Sequence, residues 1–227
     1  GEGLHGLLFH RRLDMLGILN GIDYRLFNPL KDLSIHFPYQ ISDFRTQKPK
    51  NKKVLQQETG LTVDSKKFLI GIVSRLTDQK GFDLICAAVD QIIDDQTQLV
   101  IVGTGDSRYE DSLLYYASKY PGKVAAHIEY AQDLSQKIYA GADAFLMPSY
   151  FEPCGLSQLI ALRYGTVPIV RETGGLKDTV MPYNQYEHTG LGFSFTHYSI
   201  EDLVQCINYS KKVFFEHKRE WNHMVER

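Results

Sequence analysis

Cysteine is scarce in this chain. Its three thiols, Cys86, Cys154 and Cys206, are odd in number and far apart, which excludes a disulfide framework and a paired CxxC metal site. No apolar run approaches the length of a membrane span, so no membrane role is expected. An excess of one charge is missing too: the net charge of -2 gives no bulk attraction to nucleic acid or to an anionic bilayer. The eight histidines form no HExxH pair and there is no GxxxxGK[ST] loop, which argues against a zinc protease and a P-loop NTPase. Any phosphate binding must therefore come from a local arrangement. The chain also opens on Gly-Glu-Gly, without an initiator Met or a targeting segment. The expectation is a fragment of something longer in a reducing, cytoplasmic setting.

What is present is an ordinary globular composition. With 43% hydrophobic and 23% charged residues over 227 positions, the chain can bury a substantial core. Residues 1 to 30 do not read as a complete unit: a short helix suits residues 4 to 12, a strand suits 16 to 19, and Asn20-Gly21 turns the chain. Residues 31 to 50, with Pro38 and Pro49, read as connecting loop.

Order is clear after residue 51. A helix over 52 to 59 closes at Gly60, and residues 68 to 73 form a strand apolar on both faces, as parallel strands covered by helices require. Phe82, Ile85, Val89, Ile92 and Ile93 then line one helix face. A strand at 99 to 102 opens into Gly103-Thr104-Gly105-Asp106. Helix over 111 to 119, weaker strand over 124 to 130, short helix over 134 to 141, strand over 144 to 147, a helical run after Gly155, strand over 166 to 170 and helix over 200 to 215 continue the alternation. This order predicts an α/β fold, a doubly wound parallel sheet of Rossmann-like type with five or six strands and right-handed crossovers.

In such a sheet, ligands bind beyond the carboxyl ends of the strands. Two neighbouring ends carry Glu152-Pro153-Cys154-Gly155 and Glu172-Thr173-Gly174-Gly175. Amides of Gly155, Leu156 and Ser157 at a helix start suit a phosphate, and Glu152 then suits sugar hydroxyls or a developing positive charge. The competing structural use of Glu152 is a plain helix-start carboxylate. A third strand end carries Arg75 and Lys80, a guanidinium fork and a mobile ammonium that a loop could bring to one diphosphate; solvated surface cations are the alternative. Gly103-Thr104-Gly105 begins a dinucleotide fingerprint, but Arg108 stands where the third glycine belongs. Tyr130 is either a core-edge aromatic or a nucleobase platform, and its spacing favours the former. The Tyr115-Tyr116 pair reads as helix packing.

Taken in order, Gly17-Ile18-Leu19-Asn20-Gly21-Ile22-Asp23, Ser74-Arg75-Leu76 to Gln79-Lys80-Gly81, Gly103-Thr104-Gly105-Asp106, Pro148-Ser149 to Glu152-Pro153-Cys154-Gly155-Leu156 and Thr173-Gly174-Gly175-Leu176 to Asp178-Thr179-Val180 resemble the carboxyl-terminal half of bacterial glycogen synthases and plant starch synthases. The resemblance implies one half of a GT-B architecture, with residues 1–30 a linker and remnant of the interdomain segment and residues 31–227 the nucleotide-sugar-binding domain. It implies transfer of glucose from ADP-glucose to the non-reducing end of an α-1,4-glucan with retention, ADP as product, and no metal or other cofactor. Its partners would be the nucleotide sugar, the glucan and an amino-terminal domain absent from this chain, so that this half alone would be inactive.

The same resemblance makes Arg75 and Lys80 the diphosphate-binding pair and Glu152 the carboxylate that contacts the donor glucose, the three carrying catalysis. It assigns substrate contacts to Cys154, to the amides of Gly155, Leu156 and Ser157, to Tyr130 beside the adenine, to Gly103 and Thr104 at the neighbouring strand end, and to Thr173, Gly174 and Gly175 near sugar and phosphates. Asn20 would sit near the interdomain active site. Many retaining GT-B enzymes carry a second glutamate eight positions after the first; here Ile160 stands there, so the ribose has no assigned partner. A stand-alone nucleotide-binding or regulatory module without catalysis is the alternative reading, and a dehydrogenase is disfavoured by the missing third glycine.

Overall fold

The computed structural model describes residues 3 to 227. It opens on α1, His5–His10, and a 3-10 turn, Arg12–Asp14, neither of which buries a residue. The strand expected at 16 to 19 does not form, and Leu16 and Ile18 are 88% and 86% exposed. An extended segment becomes a strand only when a neighbour satisfies its backbone groups, and no described strand pairs with it.

The loop expected over 31 to 50 holds only in its first part. Helix α2, Phe44–Glu58, starts well before residue 52 and runs through Pro49. Proline there removes one backbone donor and leaves the Arg45 carbonyl without its usual helical partner. Arg45 and Pro49 are both exposed, so water can serve that carbonyl while buried Phe44, Asn51, Lys52, Leu55 and Gln56 anchor the opposite side.

From there the predicted alternation is realised. Strands β1 (Phe68–Val73), β2 (Thr97–Val102), β3 (Val124–His127), β4 (Ala144–Met147), β5 (Val167–Arg171) and β6 (Phe193–Phe195) alternate with helices α3 (Phe82–Ile92), α4 (Ser107–Lys119), α5 (Gln132–Gly141), α6 (Ser157–Arg163) and α7 (Gly174–Thr179). Helices α8 (Ile200–Glu216) and α9 (Lys218–Glu226) close the chain. All strand pairs are parallel, in the order β3-β2-β1-β4-β5-β6. β3 ends at His127, short of the expected 130, which frees Tyr130 from the sheet.

Both faces of the sheet are buried. Phe68, Ile70 and Ile72 point to one side, where Phe82, Ile85 and Val89 of α3 meet Phe214 and Trp221. Leu69 and Phe145 point to the other, against Leu55, Ile138, Ile160 and Tyr164. Strict alternation along β1 thus fills two cores from one apolar run. The ring of Phe68 lies 5.1 Å from that of Phe214 and 5.8 Å from that of Trp221, which fastens the last two helices to the central strand.

The order of strands fixes where a site can form. The chain winds outward through β1, β2 and β3, then crosses back over the sheet and continues with β4, β5 and β6 on the far side of β1. The winding direction therefore reverses between β1 and β4, and the loops leaving those two carboxyl ends lead to helices on opposite faces of the sheet, with a crevice between α3 and α6.

Candidate functional site at the sheet reversal

A hollow of about 210 Å³ occupies that crevice, lined among others by Ser74, Arg75 and Lys80 beyond β1, by Pro148 and Ser149 beyond β4, and by Ser157 at the start of α6. The guanidinium and the ammonium singled out in the sequence therefore share one space. Arg75 is exposed at its rim, while Lys80 is half-buried and turned inward. Glu152 belongs to the same cluster: Lys80 Nζ donates to Glu152 Oε2 at 2.5 Å, and the Ser149 hydroxyl lies 3.4 Å from the same oxygen. Glu152 is 6% exposed, so it is no solvated helix-start carboxylate.

Local backbone explains why these loops sit so close. Gly81 adopts φ 79°, and a Cβ there would lie 2.3 Å from the Pro148 carbonyl oxygen. Only glycine lets the loop after β1 turn into α3 while touching the end of β4. Tyr150 N–H donates to the Gln79 carbonyl at 2.9 Å and ties the two loops directly. On the other side, Gly174 and Gly175 press against the Glu152–Cys154 backbone, where added Cβ atoms would come within 2.1 Å of the Glu152 and Cys154 carbonyl oxygens. The Gly175 amide donates to the Glu152 carbonyl at 3.0 Å. The acidic turn is thus held between the loops leaving β1 and β5.

The remaining predicted residues fall into two groups around this centre. Cys154 and Asn20 meet, the Asn20 amide lying 3.2 Å from the Cys154 Sγ. Gly155, Leu156 and Ser157 lead into α6, with Gly155 at φ 76°. Thr173 precedes α7. Of the predicted residues only Arg75, Lys80 and Ser157 line the hollow; Gly103, Thr104 and Tyr130 lie beyond β2 and β3, toward the edge of the sheet. The Leu76 amide donates to the Thr104 carbonyl at 3.0 Å, and the Gly103 amide donates to the His127 carbonyl at 3.1 Å, so the ends of β1, β2 and β3 form a continuous shelf. Tyr130 stands off it with 91% of its surface exposed. The core-edge position favoured by spacing is wrong, because the sheet stops at His127 and residues 128 to 131 form a loop.

Three participants were not singled out from the sequence. Arg171, at the end of β5, donates through Nη1 to the carbonyls of Ser149 at 3.3 Å and Tyr150 at 2.6 Å; a cation directly at a strand end was the available signal. Ser149, 1% exposed, reaches the Glu152 carboxylate. Arg108, noted only as the residue that spoils a glycine fingerprint, forks onto Asp78 and Asp106 and so braces the loop that carries Lys80. Of the Tyr115-Tyr116 pair only Tyr116 packs on the core, while Tyr115 is 59% exposed. No cluster of three or more potential metal ligands occurs among the described residues. No described helix is long and apolar enough to cross a membrane.

A larger hollow, about 730 Å³, lies elsewhere, between the segment from Asn20 to Phe44, α6 and the end of α9. It touches neither Arg75 nor Lys80, and of the predicted residues only Asn20 lines it. Volume alone does not make a diphosphate site, and the smaller crevice has the cations at strand ends that such a ligand needs.

Comparison with known proteins agrees with the fold. Residues 55–213 match the family of group 1 glycosyl transferases. A curated glycogen synthase of Lachnospira eligens is 56% identical over 227 residues, all of this chain and 48% of that protein. One of Caldicellulosiruptor saccharolyticus is 51% identical over 225 residues, 99% of this chain and 47% of that protein. The chain spans about half the length of the curated relatives it matches. The catalytic domain of starch synthase IV from Arabidopsis thaliana, solved bound to ADP and acarbose, superposes with a TM-score of 0.92 at 32% identity, over 100% of this chain and 47% of that one. The fold is that of one half of a two-domain GT-B enzyme. The chain belongs to the group 1 glycosyl transferases.

Proposed function

We propose that this chain is the donor-binding half of a glucan synthase that moves glucose from ADP-glucose to the non-reducing end of an α-1,4-glucan with retention. The observation that carries the proposal is the meeting of Arg75, Lys80 and Glu152 at the sheet reversal. Cations for a diphosphate and a carboxylate for the attached hexose lie side by side.

Sheet order supplies a layout for the donor. Parallel strands lie about 4.8 Å apart, so the ends of β3, β2, β1 and β4 span roughly 14 Å. The base would lie on Tyr130 beyond β3, with Gly103 and Thr104 under the ribose end. The diphosphate would lie at Arg75, Lys80 and the amides of Gly155, Leu156 and Ser157. The glucose would lie against Glu152, Cys154, Thr173, Gly174 and Gly175, and Asn20 would face it from the opposite side. Resemblance to the glycogen and starch synthases supports ADP as the carrier, as does the ADP held by the Arabidopsis enzyme. No metal or other cofactor is needed in this scheme.

Chemistry follows from the charges. As the bond between the glucose and the diphosphate breaks, negative charge grows on the leaving oxygens and positive charge on the sugar. Arg75 and Lys80 stabilise the first, and Glu152 stabilises the second once donor phosphate draws Lys80 away from it. The departing oxygen itself takes the acceptor proton on the same face, so no general base is assigned. Loss of one such donor should cost on the order of 3 kcal/mol in the transition state. The acceptor groove would be completed by a second domain, which relatives about twice as long can hold.

The test is transfer of labelled glucose from ADP-glucose or UDP-glucose to glycogen by the protein as encoded, beside the 227-residue chain alone. Incorporation from ADP-glucose by the former and none by the latter is expected. Absence of incorporation from either donor by the encoded protein would overturn the proposal.

A further inference from the structure

Next to Glu152 stand two large rings that the donor layout leaves unused. Tyr150 and Phe151 are 59% and 50% exposed, although they sit in a turn whose other members, Pro148, Ser149 and Glu152, are buried. Their ring centroids are 6.5 Å apart and their planes are inclined at 76°, so the pair forms an open corner. Tyr150 is also backed: its ring meets the edge of Tyr198 at 5.1 Å, and the Arg171 guanidinium lies over Tyr198 at 5.4 Å.

The turn beneath them is fixed from three sides. Arg171 holds the Ser149 and Tyr150 carbonyls, the Gln79 carbonyl holds the Tyr150 amide, and the Gly175 amide holds the Glu152 carbonyl. Exposed aromatics scattered singly need no explanation, but these two adjoin each other on a braced turn next in sequence to the buried Glu152, although neither lines the crevice itself. Aromatic rings offer a flat apolar face at small entropic cost. A pyranose ring offers the matching apolar face of axial C–H groups, with hydroxyls around its rim.

We infer that Tyr150 and Phe151 form the acceptor platform, on which the terminal glucose units of the α-glucan lie as the chain end approaches the donor sugar at Glu152. The inference rests on the proposed transfer reaction and adds to it the residues that hold the second substrate. Position selects this occupant: consecutive Cα atoms are about 3.8 Å apart, so the Phe151 backbone directly precedes the residue whose carboxylate is assigned to the donor glucose. A glucan end that is to be extended must pass within one sugar width of that carboxylate. The division of labour is then built into three consecutive residues, with Glu152 turned inward to the donor and the two rings turned outward to the acceptor.

The experiment uses the protein as encoded, in three forms: wild type, Tyr150→Phe and the double variant Tyr150→Ala/Phe151→Ala. Initial rates are measured against maltoheptaose at saturating ADP-glucose and against ADP-glucose at saturating maltoheptaose, and maltoheptaose binding is measured by calorimetry. The double variant should raise the acceptor KM about threefold to tenfold and weaken maltoheptaose binding by a similar factor. Its KM for ADP-glucose should stay within twofold, and Tyr150→Phe, which keeps the ring, should resemble wild type. Unchanged acceptor KM in a folded double variant, or an equal rise in both KM values, would overturn the inference while leaving glucosyl transfer intact. If wild type transfers no glucose, the proposed reaction fails, and calorimetry still decides the platform: equal maltoheptaose affinity of wild type and double variant, or none in either, overturns it.

Discussion

Lys80 Nζ lies 2.5 Å from Glu152 Oε2, with 18% and 7% of the two side chains exposed. Removing one member of so enclosed a pair strands the other charge away from water. Lys80→Met should therefore cost about 3 kcal/mol of folding stability, and the double variant Lys80→Met/Glu152→Gln should recover at least half of it. Urea unfolding of wild type, Lys80→Met, Glu152→Gln and the double variant makes the comparison. A single-variant cost below about 0.5 kcal/mol, the size of an exposed pair, would show that the pair opens freely to solvent.

The role proposed for Glu152 predicts that it distinguishes sugar from nucleotide. Glu152→Gln keeps the shape of the side chain and removes its charge, so affinity for ADP-glucose should fall more than affinity for ADP. Calorimetry with both ligands reads the difference. Equal losses would contradict the assignment of Glu152 to the glucose.

Arg75 and Tyr130 offer the converse test, because both are exposed. Arg75→Ala and Tyr130→Ala should leave stability within about 0.5 kcal/mol of wild type. Arg75→Ala should weaken ADP by about tenfold or more, the scale of a hydrogen bond to a charged group. Tyr130→Ala should weaken it by less. Unchanged ADP affinity in either variant would remove that residue from the donor site.

Lys48, outside the crevice, makes stability depend on pH. Burial pushes the Lys48 ammonium down to about 7 against the attraction of Asp143, while the carbonyls of Ala140 and Tyr164 and the hydroxyl of Thr166 accept from its Nζ at 2.9, 3.0 and 2.8 Å. Above pH 7 the folded chain has released a proton that the unfolded chain keeps until about 10.5. The unfolded state then binds more protons, so stability rises with pH. Between pH 7 and 9.5, wild type should gain up to about 1.4 kcal/mol per pH unit relative to Lys48→Met. A constant difference across that range would show that Lys48 stays charged.

Much of this was legible in the sequence because periodicity and strand ends are local signals. Phe68 to Val73 and Ala144 to Met147 read as buried strands and are so, and the residues just past them carried the cations and the carboxylate. Four things were not legible. Residues 16 to 19 have the apolar content of a strand, but pairing depends on a neighbour that periodicity does not supply. Pro49 looked like a helix breaker, and only the buried Asn51, Lys52 and Leu55 on the far side of α2 show why the helix tolerates it. Tyr130 looked like core because strand length cannot be read to within three residues, and its fate turned on those three. The clamp from Arg171 to the Ser149 and Tyr150 carbonyls was hidden for a different reason: it joins a side chain to backbone twenty-odd positions away.

In the proposed layout a nucleotide diphosphate lies along the carboxyl edge of the sheet from β3 to β4. Titration of the isotope-labelled chain with ADP, followed by backbone amide shifts, tests it most directly. The largest shifts should fall on Gly103, Thr104, Tyr130, Arg75, Lys80 and residues 155 to 157. Shifts confined to the larger hollow around Tyr24, Leu30 and Arg163, or none at saturating ADP, would contradict it.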